Sequence, residues 1–123
     1  MTDLLRVAAA QLESVPNDLG SNLHKHCDMI DAARTAGVDV LLFPELSMSG
    51  HCSGAEASRL AVTHEHPHVA AIAQASGEML TVFGAIEAGA SGFYNAIFAV
   101  RDGSVVHVHR KVNLATYGTG CRS

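Results

Sequence analysis

A chain of 123 residues has room for one domain and one core, and at this size it buries somewhat over ~60% of the surface it exposes when unfolded. Apolar residues make up 48% and charged residues only 16%, a composition on the greasy side of globular that hints at a face in want of a partner. The net charge of −4 leaves no basic stripe, and Phe93 and Tyr94 lie in an uncharged run, which argues against nucleic acid.

No stretch approaches the ~20 apolar residues of a membrane helix, so no membrane partner is expected. Met1 to Arg6 lacks the charged-then-apolar order of a signal peptide, and the expected compartment is the cytoplasm. Cys27, Cys52 and Cys121 are an odd set without a C-x-x-C pair. Reduced thiols are expected, with no disulfide framework and no zinc cluster.

Leu4 to Leu12 reads as an opening strand. Ser14 to Asp18 is turn chemistry, and from there to Gly37 the apolar positions Leu23, Cys27, Ile30 and Ala33 recur at helical spacing. Asn17 or Ser21 is placed to cap this helix and Gly37 to end it. The run Asp39 to Phe43 has the length and composition of a buried strand. Strand, helix and strand in about forty residues make a βαβ unit, which implies a parallel pair.

Pro44 stops that second strand and leaves Glu45 at its carboxyl end, where ligands and reacting groups collect in α/β sheets. A carboxylate there is either a general base or a structural acid tied to backbone donors. After Gly50 the chain is small and polar, and short helices are expected over Ala55 to Val62 and Pro67 to Ser76, with Pro67 at a first helical position. From Met79 the period becomes that of strands: Met79 to Glu87, Phe93 to Val100 and Ser104 to His109. Asp102-Gly103 between two alternating runs is a hairpin signal, so these three should form an antiparallel meander. The expected architecture is an α/β fold with a mixed sheet and helices on one face.

Lys111 ends the last strand, where a solvated strand end or an edge gatekeeper is the plain alternative to a functional role. His64-Glu65-His66-Pro67-His68 matches H-E-x-x-H, but Pro67 breaks the continuous helix that a zinc site on that motif requires. His107 and His109 share a strand face without an acid or thiol beside them. No metal and no cofactor are expected.

Four stretches stand in order along the chain: Val7-Ala8-Ala9-Ala10-Gln11, Leu42-Phe43-Pro44-Glu45-Leu46 with Ser49-Gly50, Tyr94-Asn95-Ala96, and Arg110-Lys111-Val112-Asn113-Leu114. Together they resemble the nitrilase superfamily of carbon–nitrogen hydrolases, over Arg6 to Gly118. The resemblance implies the amino-terminal half of a nitrilase-like α-β-β-α sandwich, so residues 1–123 would form a partial domain. It also implies a Glu–Lys–Cys set acting on a small-molecule amide, carbamoyl or nitrile through a thioester. Glu45 matches the general base and Lys111 the cation that stabilises the oxyanion, while Asn95 matches an asparagine whose expected role is a supporting hydrogen bond.

The chain departs from the family pattern beyond Lys111. The family's cysteine lies on a later strand, and a chain cut before that nucleophile is expected; the second glutamate is also missing. Cys121 and Cys52 match no motif, and Cys27 falls on the helix stripe as a core residue. Asn113 and Ala115 stand where histidine and proline are common in the family. An inactive remnant or assembly module of the fold is therefore the alternative, and an unrelated small α/β binding domain the third reading. Because a second block of strands would be lacking, one sheet face should stay bare, and a homo-oligomer or a complementing chain is expected to cover it.

Overall fold

The computed structural model describes residues 4–52 and 54–111. Its elements run β1 (Val7–Ala9), α1 (Leu19–Thr35), β2 (Val40–Leu42), α2 (Gly54–Leu60), α3 (Pro67–Ser76), β3 (Leu80–Gly89), β4 (Gly92–Arg101) and β5 (Ser104–Arg110). The five strands form one sheet in chain order. β1, β2 and β3 are parallel, and β3, β4 and β5 are antiparallel. This is the mixed sheet expected from the sequence, with the first two strands shorter than their apolar runs.

The cap of helix α1 is neither Asn17 nor Ser21 but the residue after Asn17. Asp18 is the N-cap and its carboxylate accepts from the Ser21 N–H at 3.0 Å, which holds the Asp18 carboxyl below its ordinary value. The helix ends as expected at Gly37, whose φ is +76°. Val38 N–H donates to the Ala33 carbonyl and Gly37 N–H to that of Arg34, the double bond of a Schellman motif. Pro67 opens α3, and His66 caps it through the His68 N–H. The hairpin between β4 and β5 turns on Asp102 and Gly103, both at positive φ, as a two-residue primed turn demands.

The main core lies between one sheet face and helices α1 and α3, with Ile30, Leu41, Ile72, Phe83, Phe98 and Val100 at its centre. The rings of Phe83 and Phe98 stack across the β3–β4 pair at 5.4 Å. Helix α2 corrects the expectation of helices on one face only. Its Ala57 and Leu60 pack with Leu46 and Ile86 in a separate cluster, and strand alternation points Ile86 away from Phe83 and Ala85.

On that second face Val7, Leu42, Phe93 and Ile97 remain exposed. No helix among the described residues is long and apolar enough to cross a membrane.

The candidate active site

When β2 stops at Leu42, the neighbouring edge of β3 runs on without a strand partner. Three other segments take up its peptide groups. Phe43 N–H donates to the Val82 carbonyl at 2.8 Å, Met48 N–H to that of Gly84 at 2.9 Å, and Val62 N–H to that of Ile86 at 2.8 Å. The Gly84 N–H in turn donates to Ser47 Oγ at 3.2 Å. Glu45 therefore sits in a turn that replaces the missing continuation of β2.

The turn closes with Ser47 N–H donating to the Pro44 carbonyl at 3.2 Å, which makes Glu45 and Leu46 its corner residues. Leu46 has φ +54°, a left-handed conformation that costs a non-glycine residue roughly 1–2 kcal/mol. Burial of its side chain against α2 offsets that cost.

β5 runs in the same direction as β2, so the residue after its end arrives at the same end of the sheet. That residue is Lys111, and its Nζ donates to Glu45 Oε2 at 3.2 Å. β4 runs the opposite way, so its early residue Asn95 lies there too, and Asn95 Nδ2 donates to the same oxygen at 2.7 Å. The Lys111 N–H also donates to the Asn95 carbonyl at 2.8 Å.

The Glu45 and Lys111 side chains are 44% and 41% exposed, so both are open to a substrate yet restrained by each other. They stand at the rim of a cleft of about 410 Å³ whose walls include Phe43, Val82, Phe83, Gly84 and Ile97. A fixed ammonium group, a carboxylate and an amide converge on an apolar hollow.

Residues 6–121 match the family model described as Carbon-nitrogen hydrolase. The chain belongs to this family.

Among curated relatives, the chain is 33% identical over 116 residues to a glutamine-dependent NAD(+) synthetase of Thermotoga maritima, covering 93% of this chain and 20% of the relative. It is 30% identical over 119 residues to the glutamine-dependent NAD(+) synthetase of Xylella fastidiosa, covering 95% of this chain and 22% of that protein. The chain thus spans about a fifth of these relatives' length. Among solved structures, glutamine-dependent NAD+ synthetase from Acinetobacter baumannii superposes with a TM-score of 0.78 at 26% identity, covering 93% of this chain and 22% of that one. An amidase of the nitrilase superfamily from Nesterenkonia superposes at 0.74 and 24% identity, covering 92% of this chain and 45% of that one, and shares the fold.

In this carbon–nitrogen hydrolase chain, adjacent residues Arg110 and Lys111 serve opposite faces. Arg110 Nε donates to Glu87 Oε1 at 2.7 Å and its guanidinium lies 4.1 Å from the Tyr94 ring centre, while His64 Nε2 lies 3.2 Å from Glu87 Oε2. The Arg110 bond holds the buried Glu87 carboxyl below its ordinary value, opposed by burial and assisted by His64. Nothing local in the sequence marks Glu87 as buried, so this pair is not legible along the chain.

His64 and His68 are not on one helix, because α3 begins between them at Pro67. His109 borders the cleft, and its strand neighbour across β4 is Ile97. Among the described residues no group of three or more His, Cys, Asp or Glu could hold a metal ion.

The expected apolar stripe of α1 is also displaced. Asn22 and His26 are fully buried beside Ile30 and Ala33, whereas Leu23 and Cys27 are only partly so. Cys27 is a free thiol whose pKa burial pushes up, with Asp31 and Asp28 adding to the effect. Cys52 is disulfide-bonded, contrary to the expected reduced thiol. Cys121, Asn113 and Ala115 lie outside the described residues.

Proposed function

We propose that the chain supplies the base and the oxyanion-stabilising cation of a carbon–nitrogen hydrolase acting on a small carboxamide, with glutamine the first candidate because the relatives are glutamine-dependent enzymes. The observation that carries this reading is the meeting of Lys111 and Asn95 on one Glu45 oxygen at the mouth of an apolar cleft. The thiol comes from outside the described residues.

In this scheme Glu45 takes the thiol proton, and the thiolate adds to the amide carbon. Lys111 stands beside the oxygen that becomes negative, where a fixed charge in a partly dry site counts for more than in water. The C–N bond then breaks, the proton held by Glu45 leaves with the amine, and a thioester remains. Water attacks the thioester with Glu45 accepting its proton, and the thiol is regenerated. Asn95 does no chemistry and keeps the carboxylate in place.

The test is ammonia release from glutamine and simple carboxamides, by the chain alone and complemented in trans by the remaining half of an amidase relative. Glu45→Gln and Lys111→Ala are each expected to lower kcat by roughly 10²–10⁴. Hydrolysis that survives both substitutions would refute the assignment.

A further inference from the structure

A histidine with no exposed surface stands behind the Glu45 turn, and the catalytic scheme has no use for it. His26 Nδ1 lies 2.6 Å from the Asn22 carbonyl, which can only accept, so Nδ1 carries the proton. Nε2 is then an acceptor and receives the Ser47 hydroxyl at 2.8 Å. The imidazole lies against the Phe43 ring at 4.3 Å, which fixes its plane.

Ser47 is held at each of its polar groups. Its N–H closes the turn on Pro44, its carbonyl accepts from Ser14 Oγ at 2.6 Å, and its Oγ accepts from the Gly84 N–H while donating to His26. The Asn22 side chain extends the same grip, donating to the Val15 carbonyl and the Met48 carbonyl at 2.8 Å each and accepting from the Val15 N–H. A buried polar network with all members satisfied specifies one geometry more sharply than an apolar core of equal volume. This one converges on the residues that leave the Glu45 corner.

We propose that His26, acting through the Ser47 hydroxyl, is a positioning residue for Glu45, setting where the carboxylate stands relative to Lys111. The inference rests on Glu45 being the base of the proposed reaction. His26 touches no substrate; it fixes the exit of the turn, and the turn fixes the carboxylate.

The experiment compares Ser47→Ala and His26→Leu with Ser76→Ala in the full chain. Ser76 is equally buried and bonds the Thr81 hydroxyl and the Ile72 carbonyl, so its loss destabilises the fold without touching the turn. The readouts are the side-chain carboxyl ¹³C signal of Glu45 and the ammonium ¹⁵N signal of Lys111, with kcat and KM measured in the complemented enzyme. Ser47→Ala and His26→Leu are expected to move both signals and to lower kcat about 10- to 100-fold with KM little changed, as a misplaced reacting group does. Ser76→Ala is expected to leave the signals in place.

If His26→Leu does not fold, Ser47→Ala alone decides. Signals that stay put in folded Ser47→Ala, as in Ser76→Ala, overturn the proposal. Signals that move in Ser47→Ala while Glu45→Gln keeps full activity support the positioning role and sink the assignment of Glu45 as base.

Discussion

Gly84 has no side chain, and the Glu45 turn occupies the space one would fill. A Cβ there would stand 2.3 Å from the Leu46 nitrogen and 2.9 Å from the Pro44 carbonyl oxygen, both backbone atoms with nowhere to retreat. Gly84→Ala is expected to cost about 3 kcal/mol, at the upper end for overpacking, read as a lowered urea midpoint. The same substitution should push Glu45 away from Lys111. His26 carries a second residue-scale prediction. Burial pushes its pKa down from 6.5 to about 4, with the Asn22 carbonyl opposing the shift. The unfolded chain therefore binds a proton that the folded chain refuses. The contribution of neutral His26 is complete above about pH 6.5 and is lost as pH falls toward 4, about 2 kcal/mol between pH 7 and pH 5. Denaturant titrations at these two values check it, and His26→Leu should remove most of the difference.

At the scale of elements, each local stop signal places a chemical group. The Schellman end at Gly37 turns the chain straight from α1 into β2, and Asp39 N–H and Val40 N–H both reach the Arg6 carbonyl beside β1. Gly37→Ala would force a side chain into φ +76° and bring a Cβ within 3.2 Å of the Arg6 guanidinium. The expected loss is about 1 kcal/mol, seen as a lower thermal midpoint without a change in the urea m-value. The hairpin at Asp102-Gly103 sets the register that brings Arg110 opposite Ala96 and delivers Lys111 to Asn95. A slip of one residue there would exchange the faces of Arg110 and Lys111, separating Glu87 from its guanidinium and Glu45 from its ammonium group.

For the whole molecule, the described residues cover the sheet with α1 and α3 on one side and only partly, with the Glu45 turn and α2, on the other. Val7, Leu42, Phe93 and Ile97 face solvent there, and each Å² of apolar surface left in water forgoes roughly 25 cal/mol. Concentration-dependent self-association is the expected outcome in sedimentation velocity, and Leu42→Lys should reduce it. A chain that stays monomeric at all concentrations would contradict this prediction.

Much of this fold is local physics and could be read along the chain. Pro44 ends a strand because it lacks an N–H, Pro67 starts a helix because none is needed there, and Asp102-Gly103 turns a hairpin because both residues accept positive φ. The order of strands and helices follows, and Glu45, Asn95 and Lys111, singled out by motifs that keep their spacing, meet at one end of the sheet. Burial depends instead on which segments meet. Asn22 and His26 lie inside, where Leu23 and Cys27 were expected, because Ser47 and Met48 offer them partners 21 and 26 residues away. Glu87 is buried because Arg110 and His64 close over it. Gly84 reads in sequence as one more strand residue, and its necessity appears only when the turn from another strand lies across it. A sequence records each group's capacity to bond and to turn; the tertiary structure alone decides which of those capacities find a partner, because partners distant along the chain are brought together only by folding.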